Sequence, residues 1–326
     1  MTDLKLKIFS RIQGDLAEIE KAISENLAPY LDLVSETARH ILFAGGKRLR
    51  PLLMVLSARL CGYAGNHDKY YSTIFEYLHA ATLLHDDLVD GAKIRRGKAV
   101  AHGVYGASTA VLVGDFLLAR GLSIAATTGN TRVIEVIAGI TESMSQGEIH
   151  QLMRKQHLDL SEQEYLEVIQ RKTAVLIQGA CIVGAIIADA SPEQEAALSE
   201  FGFNLGFAFQ LADDLLDYTA DTRELGKEIG ADLREGKLTL PIIYALRSAS
   251  STERKMLERI IKDSEFSKEE FANLVNYLNS CGAIAYTQDK AAEYVSKAKQ
   301  SLRVFNPGPM VETLLDIADY ALYRRA

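Results

Sequence analysis

Apolar residues recur at spacings of three and four along almost the whole chain, as in "VIEVIAGITESM" and "YLEVIQRKTAVLIQ". That period places them on one face of an α-helix, and no sustained alternation of the kind a half-buried strand needs appears anywhere. Three helix starts are marked by capping-box spacing. Ser161 precedes Glu164, Ser267 precedes Glu270, and Ser191 precedes Gln194 with Pro192 at the first helical position. Two polar, glycine-bearing stretches break the pattern, Gly91 to Ser108 and Thr219 to Thr239. The expected architecture is a large all-α bundle, with helices ending at those two loops.

The most apolar run, "AVLIQGACIVGAIIA", spans the 15 residues from Ala174 to Ala188. A membrane crossing needs about 20, so this run is expected to be a helix buried inside protein. Length alone allows about two domains. With only six prolines and no Gly/Ser-rich linker, a single domain over residues 1–326 is expected. A net charge of −7 lacks the basic face of a nucleic-acid binder. Cys61, Cys181 and Cys281 lie far apart without metal-ligand spacing, which suits buried thiols in a reducing compartment. The start, "MTDLKLKIFSRIQGDL", is interrupted by charges and has no apolar signal-peptide stretch, so a cytoplasmic location is expected.

Candidate chemistry sits where the two loops begin. Asp86, Asp87 and Asp90 follow one apolar run, and Asp213, Asp214 and Asp217 follow another. Both read D-D-x-x-D. On a helix, residues four apart lie within about 40° of each other, so each motif makes a carboxylate patch about one turn, or 6 Å, long. Like charges so close repel and resist desolvation, and something positive is expected among them. Mg²⁺ fits, because it takes oxygen ligands and shares itself between one or two carboxylates and substrate phosphates. Two patches facing across a cavity could hold a diphosphate through bridging metals and make it a leaving group. One D-D-x-x-D is commonly a solvated helix face. Two copies, each after an apolar run and before a basic glycine-bearing loop, argue against that. The EF-hand spacing is absent.

Basic residues surround these patches. "GGKRLRP" offers Lys47, Arg48 and Arg50, and His79 lies seven residues before Asp86. They suit a second anionic group, since arginine forks match phosphate oxygens. Arg95 and Arg96 follow the first cluster, Lys227 and Lys237 follow glycines in the second loop, and Lys172 beside Thr173 opens onto the buried apolar run.

The stretches "GGKRLRP", "HAATLLHDDLVDGAKIRRGK", "VLVGDF", "RKTAVL" and "FQLADDLLDYTADTRELGKEIGADLREGKLTLP" make the sequence resemble the trans-isoprenyl diphosphate synthases over nearly its whole length. Within them it looks most like the octaprenyl branch. The resemblance implies an all-α fold around a central cavity, a Mg²⁺ requirement, a homodimer, and repeated condensation of isopentenyl diphosphate with an allylic diphosphate. It implies that Asp86, Asp90 and Asp213 hold metal, supported by Asp87, Asp214 and Asp217. Arg95, Lys172, Lys227 and Lys237 would contact the allylic diphosphate. Lys47, Arg50, His79 and Arg96 would form the isopentenyl diphosphate pocket, to which some relatives add a basic tail such as "YRRA". Thr173 and Gln210 would line the reacting carbons.

The growing product would lie beside the helix bearing Asp86. Thr82 and Leu78 fall roughly 40° and 80° from Asp86 around that helix. The resemblance makes Ala81 a chain-length gate, since short-chain relatives carry aromatic rings at the positions of Ala81 or Thr82. Ala125 and Ala126 are also small, and Ile137 would be a deeper stop. An open floor and a long product are expected. The alternatives are a shorter farnesyl- or geranylgeranyl-type product and a non-catalytic subunit of a heteromeric synthase. A terpene cyclase would share only the first D-D-x-x-D. No nucleic-acid partner and at most transient membrane contact for product release are expected.

Overall fold

The computed structural model describes residues 2–27, 31–219, 230–263 and 265–323. The helical period of the sequence becomes helices nearly throughout. They are α1 (Thr2–Glu25), α2 (Asp32–Leu42), α3 (Leu49–Leu60), α4 (Asp68–Val89), α5 (Ala101–Tyr105), α6 (Ala107–Thr127) and α7 (Thr131–Met153). There follow α8 (Glu162–Ile169), α9 (Val175–Ile187), α10 (Pro192–Thr219), α11 (Ala231–Arg234) and α12 (Leu240–Ser248). The chain then forms α13 (Ser251–Lys262), α14 (Lys268–Ser280), α15 (Ala283–Ser301) and α16 (Pro309–Tyr323). Among the described residues, strand is confined to the antiparallel pair β1 (Ile94–Arg95) and β2 (Lys98–Ala99), inside the first glycine-bearing loop.

Local signals act as the sequence implies. Ser161 and Ser267 complete capping boxes with Glu164 and Glu270. The Ser191–Gln194 pair closes reciprocally at the start of α10. A further box, Ser250 with Glu253, opens α13. The apolar run from Ala174 forms α9, buried along most of its length. Each cap satisfies backbone N–H groups that a helix start would leave without partners.

Two apolar clusters share α10 as a common wall. Leu198, Phe201, Leu205 and Ala208 belong to the cluster built on α1, α3, α4, α6, α7 and α9. Phe207, Leu211, Leu215 and Tyr218 join the other, with α12, α13, α14 and α15. At 28 residues α10 is about 42 Å long, which lets it serve both. The aspartate-bearing ends of α4 and α10 come to the same cavity.

One departure from the α-helical pattern matters for the site. Between α8 and α9, residues Gln170–Ala174 form a π-helical turn that carries Lys172 and Thr173. An extra residue in a turn is costly and is found mostly at functional positions. Two glycines admit it. A Cβ at Gly206 of α10 would lie 2.5 Å from Ala174 Cα, and one at Gly147 of α7 would lie 2.8 Å from Arg171 Cβ.

Candidate active site

A cavity of about 950 Å³ opens between α3, α4, α7, the π turn and α10. Its wall carries Asp86, Asp87, Asp90, Asp213 and Asp214, and also Lys47, Arg50, His79, Arg95, Arg96, Lys172, Thr173, Gln210 and Lys237. The sequence placed these residues in separate motifs, and the fold brings them to one chamber. Lys227 and residues 324–326 of the basic tail lie outside the described residues.

Each carboxylate of the first cluster meets a cation. Arg95 forks onto buried Asp87 with bonds of 2.6–2.9 Å. Lys155 and Lys237 donate to opposite oxygens of Asp90 at 2.9 and 2.7 Å. Lys172 lies 3.7 Å from Asp86 and also pairs with Glu148 and with Gln151 Oε1. Burial pushes the Asp86 carboxyl up to about 6, because it outweighs the attraction of Lys172 and the neighbouring Glu148 works against ionisation. Burial acts on Asp90 too, yet Lys237 and Lys155 overcome it and hold that carboxyl below its ordinary value.

The second cluster divides. Asp213 is exposed toward the cavity, whereas Asp214 is buried and accepts bonds from Tyr165 and from Gln210 Nε2. Thr173 donates to Gln210 Oε1 at 2.9 Å, so hydroxyl, amide and carboxyl form one chain. Burial, with Asp232 nearby, pushes Asp214 well above the usual carboxyl range. Asp217 is different. Its oxygens accept the backbone N–H groups of Ala231 and Asp232 at 3.1 and 3.2 Å, and it is absent from the cavity wall. It ties α10 to α11 behind the site.

The basic rim also differs from its reading in sequence. Arg48 is indistinguishable from Lys47 and Arg50 in "GGKRLRP", but its side chain turns inward. Its backbone is left-handed, and its guanidinium bonds Glu76 Oε1 and the Leu42 carbonyl at 2.6 Å each. Arg96 donates to the Gly45 carbonyl and so ties the β1–β2 hairpin to the glycine loop. Burial among Arg50, Arg96 and Arg95 drives His79 well below 6.5, which leaves it neutral near pH 7. Lys47 is exposed, with its ammonium 5.3 Å from the Tyr320 ring.

Below the aspartates the wall turns less polar, through Thr82, Leu118, Thr141 and Met144. Leu78, Ala81 and Ile137 are fully buried and outside that wall, so the expected open floor is a closed one here. Close packing fills the space behind it. Ala126 is exposed on α6, while its neighbour Ala125 is buried. The helical period turns Ala126 away from any interior floor.

Periodicity and motif spacing gave no sign of Tyr165, Glu148, Gln151, Lys155 or Glu235, all of which face the chamber. Glu148 follows Gly147 on α7, and Glu235 precedes Gly236, but neither spacing is diagnostic. Among the described residues no three His, Cys, Asp or Glu side chains converge closely enough to hold a metal by themselves. The donor set is nonetheless oxygen-rich, and Glu148 turns two buried carboxylate oxygens toward the chamber against the single ammonium of Lys172. This fits a hard cation shared with substrate oxygens rather than an all-protein cage.

A polyprenyl synthetase family model matches residues 31–278. The chain belongs to the polyprenyl synthetase family. It is 38% identical to octaprenyl diphosphate synthase of Escherichia coli (strain K12), with 98% of each chain covered. It is 35% identical to the all-trans-nonaprenyl-diphosphate synthase (geranyl-diphosphate specific) of Rhodobacter capsulatus, covering 99% of this chain and 98% of that one. A polyprenyl synthase from Caulobacter crescentus CB15, solved with calcium and isoprenyl diphosphate, superposes with a TM-score of 0.93 at 40% identity. The match covers 98% of this chain and 97% of that one. The polyprenyl synthetase fold is therefore all-α here, and the chain is an enzyme of the trans-prenyltransferase class.

Proposed function

We propose that this polyprenyl synthetase condenses isopentenyl diphosphate repeatedly with an allylic diphosphate, using Mg²⁺, to a long all-trans polyprenyl diphosphate of the octaprenyl type. The observation that carries the reading is the single chamber that gathers both aspartate turns, a cationic rim and a less polar floor.

Asp86, Asp90 and Asp213 would hold the cation, which when bound would withdraw charge from the allylic diphosphate. Lys172, Lys237 and Arg95 stand around the same carboxylates and would neutralise the departing group. Neutral His79, Arg50, Arg96 and Lys47 form a separate basic rim suited to the second diphosphate. The lining hydroxyl and amide of Thr173 and Gln210 would orient the reacting carbons. Positioning, exclusion of water and electrostatics are then the protein's contributions, and no dedicated side-chain base is required.

A long product requires the layer of Thr82, Leu118, Thr141 and Met144 to part, together with the packed residues behind it, small Ala81 among them. A shorter product is the second reading, and the closed floor favours it. The Escherichia coli and Rhodobacter capsulatus relatives are octaprenyl and nonaprenyl synthases by their names, which supports the first. A homodimer is supported by exposed apolar residues on α6 and α7, among them Leu112, Leu122 and Met153, which a second copy would cover. The test is mass spectrometry of products from purified chain alone, labelled isopentenyl diphosphate, several primers and Mg²⁺. A ladder ending near eight units supports the reading. Termination at three or four units selects the shorter product, and no turnover selects a non-catalytic subunit.

A further inference from the structure

Asp90 is the cap residue of α4, and two ammonium groups meet on its carboxylate. Lys237 comes from the loop after α11, and Lys155 from the turn that ends α7. A backbone splice brings these two lysines side by side. Gln156 N–H donates to the Gly236 carbonyl at 2.9 Å, so the bonded pair immediately adjoins Lys155 on one strand of chain and Lys237 on the other. Both bonded residues are left-handed, Gln156 with φ of 60° and Gly236 with φ of 76°. For a residue with a side chain such as Gln156 that conformation is uncommon and costs energy, so the contact is one the surrounding structure enforces. A Cβ at Gly236 would come 2.9 Å from Gln156 Cγ, and the left-handed backbone there favours glycine.

The two lysines are not equivalent. Lys237 keeps a second anion, Glu235 Oε2 at 2.6 Å, and its side chain is 13% exposed. Lys155 has Asp90 as its sole ion-pair partner among the described residues, and its side chain is 25% exposed on the cavity wall. A divalent cation on Asp90 would compete with both ammonium groups for the charge of the same carboxylate. When Asp90 turns to such a cation, the ammonium with no second anchor is the one displaced.

We propose that Lys155 is a diphosphate-binding residue of the allylic site, stored on Asp90 until the cation arrives and then turned into the cavity to pair with a substrate oxygen. This rests on the Mg²⁺-dependent reading above. Lys155 would thereby add a positive charge to the group formed by Lys172, Lys237 and Arg95, and it would do so only in the loaded site.

The test uses the full-length enzyme, Lys155→Gln and Lys155→Arg, with calorimetric binding of inorganic pyrophosphate in saturating Mg²⁺ and of Mg²⁺ alone. Loss of one charge-assisted bond at a quarter-exposed site should weaken pyrophosphate roughly tenfold in Lys155→Gln, with Lys155→Arg restoring most of it. Mg²⁺ alone should bind Lys155→Gln as tightly as the wild type or more tightly, because a competitor has left Asp90. The KM for the allylic diphosphate should rise by a similar factor while that for isopentenyl diphosphate stays put. A lysine that merely neutralises Asp90 would leave pyrophosphate affinity unchanged or improved, and that result overturns the proposal. Wild-type enzyme that elongates while Lys155→Gln binds pyrophosphate normally sinks this inference alone. Wild-type enzyme that does not elongate sinks the reading beneath it.

Discussion

Gly206→Ala puts a single methyl where α10 crosses the π turn. The new Cβ would stand 2.5 Å from Ala174 Cα and 2.8 Å from Ala174 Cβ, while ordinary contact begins at 3.4 Å. The obstacle is backbone and a fully buried side chain, so the helices must open by about 0.9 Å rather than a side chain swinging aside. Overpacking of this kind costs about 1–3 kcal/mol. At the roughly 2 °C per kcal/mol expected of a chain this size, the unfolding midpoint should fall by about 2–6 °C. Ala174 adjoins Thr173 and Lys172, and misplacing reacting groups by about 1 Å costs up to a hundredfold, so kcat should fall by about ten- to a hundredfold. Gly202→Ala is the control. Its methyl would meet Gln178 Cα at 2.8 Å and the Ile177 carbonyl at 2.9 Å, one turn earlier in α10. It should lose comparable stability with kcat within about threefold, since α9 there carries no site residue. Scanning calorimetry and steady-state turnover on both variants supply the comparison. If Gly206→Ala destabilises as expected yet turns over at the wild-type rate, the π turn does not position the catalytic groups.

Other substitutions probe separate parts of the chamber. Asp86→Ala should abolish turnover with the unfolding midpoint nearly unchanged, and near-normal rates would reject its metal role. Tyr165→Phe removes a hydrogen bond from buried Asp214; it should cost about 1–2 kcal/mol in chemical denaturation and lower kcat, whereas wild-type stability would mean that bond is idle. Thr82→Phe should fill the cavity floor and shorten the product, read by mass spectrometry, and an unchanged product would place the floor elsewhere. His79 has a folded pKa depressed below 6.5, so the unfolded chain takes up its proton first as pH falls. The wild type should therefore lose stability below pH 6.5 more steeply than His79→Gln, and parallel pH profiles would contradict the buried neutral imidazole.

Much of this was legible in the sequence because it is local. The helical period, the serine caps and the two D-D-x-x-D turns depend on residues within a few positions of each other. The pairings that complete the site do not. Lys155 and Lys237 reach Asp90 across 65 and 147 residues, and Tyr165 reaches Asp214 across 49. The π turn was invisible because it runs into α9, which is apolar on nearly every face, so the shift of phase from one extra residue leaves no mark in the pattern. Equal residue types also hid unequal roles: Asp217 fastens α11 while Asp213 faces the cavity, and Arg48 is buried on Glu76 while Lys47 is exposed. Ala81 and Ala126 were grouped by small size, but only Ala81 is interior. Size is written in a residue's identity, and the direction it faces depends on the packing of its neighbours.

In the proposed mechanism the ends of α4 and α10 share divalent cations with a diphosphate. Crystals grown with Mn²⁺ and inorganic pyrophosphate, measured for manganese anomalous scattering, address it directly. Manganese peaks are expected between pyrophosphate oxygens and the carboxylates of Asp86, Asp90 and Asp213. Pyrophosphate bound in this chamber with no manganese on either aspartate turn would contradict it.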